Sequence, residues 1–267
     1  MIFWSAIEPI YYILPLAGFL IGLFGSVIGG GGGFFFLPLL TLVVGVPPQT
    51  AVITSLVATL PVCAVATSGH YRQGNIDTRK GVTFAMTGII GAFAGAAIAN
   101  VISAGQLKAA FGIYAILISL NMARSTRQRK LSTAIVPDAD KIKKLNLLNK
   151  TKGPFFGFFA GTITGTFGTS GTAPIMAGLF SMNMPVKIVV GTSLMVALVN
   201  TFFAVSAHFL VGRIDLTVVL FLTAGSALGA IPGPGILNKM KTDNSENRIR
   251  YIFALIMTLT GILMIIT

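Results

Sequence analysis

The sequence predicts an all-α membrane protein made of two repeats, each with about four helical segments and with a break in the first segment. Composition is the first observation: 54% of the 267 residues are hydrophobic and only 10% are charged, whereas a soluble domain carries roughly 25% charged residues. The second is the length of the apolar stretches, since a membrane-spanning helix needs about 20 residues. Stretches that approach or reach that length are 10–23, 81–102, 107–122, 187–209 and 216–231.

The third observation is an internal repeat that relates the two halves of the chain. Motifs recur at a shift of 138 residues in the later part of each half and at 139 residues in the earlier part. The matched sets are Gly18-Phe19, Gly22 and Gly29 with Gly157-Phe158, Gly161 and Gly168; Thr54-Ser55-Leu56 with Thr192-Ser193-Leu194; His70, Gly74 and Asp77 with His208, Gly212 and Asp215; and Gly91 and Gly95 with Gly229 and Gly233. Many secondary transporters are duplicated in this way and bind their substrate between the repeats.

The first segment of each half, 11–45 and 155–182, is predicted to be a helix with a break in its middle. Five consecutive glycines at 29–33 disfavour a continuous helix, because each glycine costs about 1 kcal/mol relative to alanine. The counterpart at 168–174 contains two glycines and Pro174, which lacks a backbone donor. In hydrocarbon, non-helical backbone survives only where it is buried in protein or lines a wet cavity. Both breaks are therefore predicted at the centre of the protein.

Three further helices are predicted after each break, one through the Thr-Ser-Leu motif and two beyond the turn from histidine to aspartate. Residues 1–123 then form an N-terminal transmembrane repeat, 124–152 a basic linker and 153–267 a C-terminal transmembrane repeat. The linker holds nine of the nineteen basic residues, and short loops rich in lysine and arginine stay in the cytoplasm. The net charge of +12 is thus interpreted as a topology signal, with the lipid bilayer rather than nucleic acid as the partner.

The same charges favour an inverted relation between the repeats. If the first segment of each half turns back at its break, the basic residues at 239–250 lie in the cytoplasm with the linker and both chain ends lie outside. That arrangement leaves few positive charges outside. If each first segment instead crosses straight through, the repeats are parallel and the basic residues at 239–250 lie outside. Inversion is the prediction, and the parallel arrangement is the alternative.

An enzyme, a cofactor and a metal site are all disfavoured. The sequence has no paired carboxylates and no nucleophile motif, and the glycine run lacks the lysine of a nucleotide-binding loop. Scarce carboxylates in the apolar segments also disfavour a cation pathway. Cys63 is the only cysteine, which excludes an intrachain disulfide, and it is interpreted as a packing residue.

Small polar groups at and near the breaks predict an anion site made of neutral donors. Helices that restart after a break expose free N–H groups and a partial positive charge of about half an electron, which suits an anion. The predicted substrate-binding residues are Gly29, Gly30, Gly31, Gly32, Gly33, Thr54, Ser55, Gly168, Thr169, Ser170, Gly171, Thr172, Thr192, Ser193 and Asn200. The alternative is that these small residues only let membrane helices pack closely.

Two histidines and two arginines are the candidates for a proton or gating role. His70 and His208 occupy matching positions at predicted helix ends. Each either closes a helix C-terminus or carries protons, since an unperturbed histidine titrates at about pH 6.5. Arg72 and Arg213 either draw in anions or are solvated loop residues.

The glycine and proline pattern resembles that of the TauE/SafE sulfite exporter family. The matching residues are Gly22, Gly29-x-Gly31-Gly32-Gly33-x4-Pro38-Leu39-Leu40, Pro48 and Thr54-Ser55-Leu56. The duplication, the length and the His/Gly/Asp turn agree, so the resemblance covers nearly the whole chain. The second half departs from the pattern, because Thr169-Ser170-Gly171-Thr172 replaces the glycine run and Pro174 comes earlier than its counterpart.

The resemblance implies a multi-pass permease of the cell membrane that carries sulfite, an organosulfonate, thiosulfate or a related small sulfur oxyanion, in the export direction and with the proton gradient. The predicted function is therefore a secondary transporter with a central site at the repeat interface and no cofactor. A passive anion channel is the alternative. A membrane-embedded enzyme or assembly factor is disfavoured by the missing catalytic groups, and the sequence leaves the oligomeric state open.

Overall fold

The computed structural model describes the backbone of residues 2–129, 139–209, 214–239 and 243–267, and the side chains of these ranges apart from 125–151 and 240–250. The helices are α1 (Leu14–Ile28), α2 (Gly33–Pro38), α3 (Pro48–Arg72), α4 (Thr78–Val101), α5 (Ala104–Arg129), α6 (Ala139–Phe167), α7 (Thr172–Ser181), α8 (Val186–Phe209), α9 (Leu216–Ala230), α10 (Gly233–Lys239) and α11 (Asp243–Ile266). A 3₁₀ turn, Pro9–Ile13, leads into α1, and a π-helical turn, Leu39–Val43, extends α2. Within the described ranges, six helical stretches are long and apolar enough to cross a membrane. The prediction of a helical multi-pass membrane protein is thus confirmed.

The linker and the last repeat differ in detail from the predicted segments. Helix α5 runs on to Arg129 and α6 begins at Ala139, so helices enter the predicted 124–152 linker from both sides. Most of the basic side chains assigned to that linker lie outside the described residues. The predicted 216–231 segment continues through a turn at Ile231 and Pro232 into α10.

A small parallel sheet joins the N-terminus to the second half and was not expected in an all-α protein. Strand β1 (Ile2–Phe3) pairs with β2 (Ile214–Asp215), with Ile2 opposite Ile214 and Phe3 opposite Asp215. Two residues in each strand are too few to produce an alternating pattern that could be recognised in the sequence.

Both predicted breaks are present, and a glycine with a left-handed backbone begins the helix after each one. Gly32 (φ 81°) is the N-cap of α2 and Gly171 (φ 56°) is the N-cap of α7. L-amino acids with a Cβ rarely adopt this conformation, which explains the glycine at both positions. The two glycines match at the 139-residue shift.

The repeated glycines of the long helices let the two halves interlock. Helix α1 packs against α9, and α6 packs against α4, so each first segment lies against a helix of the other half. A Cβ on Gly22 would overlap the Ser226 carbonyl, and a Cβ on Gly161 would overlap the Gly88 carbonyl. Only residues without side chains allow backbones to approach this closely. Close packing is therefore the role of these helical glycines.

The two matched aspartates are N-caps. Asp77 accepts a hydrogen bond from the backbone N–H of Lys80 at 3.0 Å at the start of α4, and Asp215 accepts one from that of Thr217 at 3.1 Å at the start of α9. A capping side chain contributes about 1 kcal/mol to helix stability. These turn carboxylates therefore have a structural role.

We expect Gly161→Ala to lower the free energy of unfolding by about 1–3 kcal/mol, because overpacking must push α6 away from α4. Thermal unfolding of the purified protein in detergent measures the loss. Gly105→Ala is the control, because a Cβ at Gly105 meets no atom within 4 Å. Equal melting temperatures for the two variants would contradict the interlocked packing.

Candidate anion-binding site

The two breaks, here called tip 1 (residues 29–33) and tip 2 (residues 168–172), meet at the centre of the molecule. The backbone of Gly33 lies against the backbone of Thr169 and Ser170. The Ser170 hydroxyl donates to the Gly30 carbonyl. The structure thus brings together the two segments that the sequence analysis singled out.

Two serines of the Thr-Ser-Leu motifs hold these tips crosswise. Ser55 Oγ donates to the Gly168 carbonyl at 2.7 Å, and Ser193 Oγ donates to the Gly29 carbonyl at 3.3 Å. Both side chains are fully buried. Each hydroxyl also lies within hydrogen-bond distance of a carbonyl of its own helix, so its single proton is directed at protein acceptors. In this structure both serines bind the tip of the opposite half.

The neighbouring threonines connect the halves in the same crosswise manner. Thr192 Oγ1 accepts a hydrogen bond from the Asp77 backbone N–H at 2.9 Å, and Thr54 Oγ1 accepts one from that of Asp215 at 3.5 Å. Because the oxygens are acceptors here, each hydroxyl proton stays available for another bond.

Other predicted ligands are buried polar groups with few partners. Among the described residues, the Thr169 hydroxyl and both polar atoms of the Asn200 amide have no hydrogen-bond partner. Asn200 packs against Gly88 of α4. The Thr172 hydroxyl lies 3.4 Å from the Ser170 hydroxyl, at the edge of hydrogen-bond distance.

A cavity of about 640 Å³ leads from the tips towards the linker end of α5. Its inner end includes Gly30 and Thr172, and its outer end includes the exposed residues Asn121 and Arg124. Aromatic rings form much of the wall between these ends, namely Phe34, Tyr114, Phe155, Phe156, Phe159, Phe180 and Phe253. Sequence reasoning missed this wall because phenylalanine and tyrosine in apolar helices look the same whether they pack in a core or line a cavity.

The first turn of α7 also lines the cavity, through Thr172, Ala173 and Pro174. The first N–H groups of a helix have no intrahelical partner and carry the positive end of its dipole. Pro174 has no N–H, so Thr172 and Ala173 are the lining residues of this turn that carry neutral donors.

The two histidines hold the helices that precede the tips. The buried ring of His70 places Nε2 at 3.2 Å from the Ser26 carbonyl, and that of His208 places Nε2 at 2.7 Å from the Gly165 carbonyl. A carbonyl only accepts, so Nε2 is the donor in both. Asn75 Nδ2 lies 3.4 Å from His70 Nδ1, which fits a neutral ring that donates at Nε2 and accepts at Nδ1.

Of the two predicted arginines, the structure describes one. Arg72 is exposed at the end of α3, and Arg213 lies outside the described residues. Among the side chains that the structure describes, no group of three His, Cys, Asp or Glu could hold a metal ion.

Comparison with known proteins gives a consistent set of relatives. A family profile described as sulfite exporter TauE/SafE matches residues 14–264. A probable membrane transporter protein of Xylella fastidiosa is 31% identical over 258 residues, which cover 94% of this chain and 91% of the relative. The probable membrane transporter proteins YdhB and YunE of Bacillus subtilis are 28% and 27% identical over 84% and 92% of this chain and 89% and 95% of their own lengths. No solved structure matches the chain.

We expect His208→Leu to lower the free energy of unfolding by about 1–3 kcal/mol, because the buried Gly165 carbonyl loses its donor. His208→Gln keeps a donor and should retain most of the stability. Thermal unfolding of the three proteins makes the comparison. If glutamine and leucine destabilise equally, the hydrogen bond to Gly165 is not what this residue contributes.

Proposed function

The chain belongs to the TauE/SafE sulfite exporter family, a family of multi-pass membrane transporters rather than enzymes, and we propose that it is a secondary transporter that exports sulfite or a related small sulfur-containing anion such as an organosulfonate or thiosulfate. One observation carries the proposal: the neutral donors of tip 2 line the inner end of a cavity that reaches the surface beside Arg124. The relatives are named as probable membrane transporters without a substrate, so the choice of anion rests on the family description and on the chemistry of the site.

The chemistry of the tips suits an anion. The carbonyls on the C-terminal side of the first half-helices already have donors, since Ser55, Ser193 and the two histidines bind four of them. Thr172 and Ala173, the first residues of α7, line the cavity. Hydrogen bonds to a charged acceptor are about twice as strong as neutral ones. A buried arginine at the centre of a membrane would instead cost at least about 2.5–3.5 kcal/mol.

Contacts between loops support an inverted relation of the repeats. Asn75 Nδ2 donates to Asn238 Oδ1 at 3.1 Å, and Lys187 Nζ donates to the Asn238 carbonyl at 3.1 Å. These contacts require the α3–α4 turn, the start of α8 and the end of α10 to lie on one side of the membrane. If each first segment crossed straight through, the α3–α4 turn would lie on the opposite side from the other two. A hairpin that turns back at its tip is compatible with both contacts.

The position of the cavity supports export. In the inverted arrangement, the basic linker and the outer end of the cavity at Asn121 and Arg124 both face the cytoplasm. The structure then corresponds to an inward-open state that receives its anion from the cell. The interior-negative potential favours export of each negative charge by about 2.3 kcal/mol per 100 mV, and proton coupling is part of the proposal as an additional driving force.

We expect proteoliposomes to carry sulfite, thiosulfate or a small organosulfonate at a rate that saturates with concentration and changes with an imposed pH gradient. Sulfate and a carboxylate such as acetate serve as selectivity controls in the same preparation. Channel-like conductance that ignores the pH gradient would favour a passive anion channel. Absence of flux for every sulfur anion in the panel would overturn the proposed function.

For the topology, we expect a cysteine at Pro185 to be labelled from the cytoplasmic side in a Cys63→Ala background. Pro185 lies between α7 and α8 and is exposed, so its side of the membrane reports whether the second hairpin turns back. Gln73→Cys should label from the same side and Gly105→Cys from the opposite side. Labelling of Pro185→Cys together with Gly105→Cys would support parallel repeats.

A further inference from the structure

Tyr114 of α5 sits between the two tips. Its ring stacks on Phe34, with centroids 6.0 Å apart and planes 18° apart, and on Phe167, with centroids 5.4 Å apart and planes 20° apart. Phe34 directly follows the glycine run of tip 1, and Phe167 directly precedes Gly168 of tip 2. A single ring on a third helix therefore contacts the residues flanking both breaks.

The hydroxyl of this tyrosine is buried without a hydrogen-bond partner among the described residues. Buried tyrosine hydroxyls normally have a partner, since leaving a buried polar group unpaired costs about 1–3 kcal/mol. Tyr114 also lines the cavity, together with Gly30 and Thr172 at its inner end. The side chain lines the cavity while the hydroxyl itself is enclosed by protein, and an acceptor that enters the inner end of the cavity would complete its hydrogen bond.

We propose that Tyr114 is a substrate ligand and that its hydroxyl donates to an oxygen of the transported oxyanion, with the Thr172 hydroxyl as a second donor from the other side of the inner cavity. This inference rests on the proposed function and adds a residue that the repeat does not duplicate. At the 138-residue shift of the later part of each half, the position matching Tyr114 is Ile252, and the neighbouring Phe253 lines the same cavity; neither residue has a hydroxyl. The site is thus asymmetric, with the tyrosine supplied by the first half.

The stacking also connects Tyr114 to both breaks. Because its ring is held by Phe34 and Phe167, an anion bound to the hydroxyl is connected through one rigid side chain to both tips. The tyrosine thus links the bound anion to the residues that flank both breaks.

The decisive comparison is Tyr114→Phe against the unaltered protein. The variant keeps the ring and its stacking and removes only the hydroxyl. Isothermal titration in detergent with sulfite, thiosulfate and methanesulfonate gives the dissociation constants. We expect Tyr114→Phe to weaken the binding of the anion that binds the unaltered protein by about tenfold or more, the effect of losing one hydrogen bond to a charged group.

Thr67→Val is the matched control, because Thr67 also has a buried hydroxyl without a partner but does not line the cavity. It should leave the affinity unchanged. If the unaltered protein binds an anion and Tyr114→Phe binds it equally well, the inference is wrong and the proposed function stands. If the unaltered protein binds none of the three anions, the proposed function fails and the inference fails with it.

A measurement without any substrate tests whether position 114 lines an accessible space. In a Cys63→Ala background, Tyr114→Cys should react with a negatively charged methanethiosulfonate reagent, because the side chain lines an open cavity. Ala115→Cys should not react, since Ala115 is fully buried on the same helix. Failure of Tyr114→Cys to react in folded protein would overturn the inference even if transport is found.

Discussion

The requirement that every backbone polar group inside a membrane find a partner organises this protein. Breaking a helix at mid-membrane frees the last carbonyls of one half-helix and the first N–H groups of the next, and hydrocarbon offers neither donors nor acceptors. Here the freed carbonyls are bound by side chains from other helices. Ser193 binds Gly29, Ser55 binds Gly168, and the two buried histidines bind Ser26 and Gly165. The breaks can exist because a serine of the opposite repeat and a histidine of the same repeat supply donors at each of them.

The binding of these carbonyls by side chains links the stability of the fold to the chemistry of the site. Donors of the protein are used on the carbonyl side of the breaks, while the first residues of α7 line the cavity. An anion is the ligand that the remaining donors bind best, and no basic side chain needs to be buried to attract it. The serines that the sequence suggested as ligands support the tips in this structure, so the site and its scaffold share one hydrogen-bond network.

The internal repeat accounts for the contacts that support the tips. Positions at which the two halves differ account for the polarity of the cavity lining. The crosswise serines, the accepting threonines, the capping aspartates and the interlocked glycines all occur in matched pairs at the repeat shift. The tips themselves differ, since tip 1 is all glycine and tip 2 carries hydroxyls. Tyr114 of the first half likewise has no hydroxyl-bearing counterpart, since Ile252 stands at the matching position. The two broken segments thus differ in polarity where they line the cavity, with Gly30 from tip 1 and Thr172 from tip 2.

The sequence by itself determined that the protein lies in a membrane, and it determined the helices, the duplication and the two breaks. Each of these depends on local composition or on spacing along the chain. The length of an apolar stretch predicts a membrane-spanning helix, and a run of glycines interrupts a helix wherever the run lies. Only the tertiary structure decided which neighbours these elements have. The crosswise bonds of Ser55 and Ser193, the anchoring of His70 and His208 on carbonyls, and the stacking of Tyr114 join residues that are far apart in the chain. Spacing within one half does not indicate such contacts, since hydroxyls and aromatic rings have the same local pattern whether they bind a ligand, a backbone carbonyl or each other.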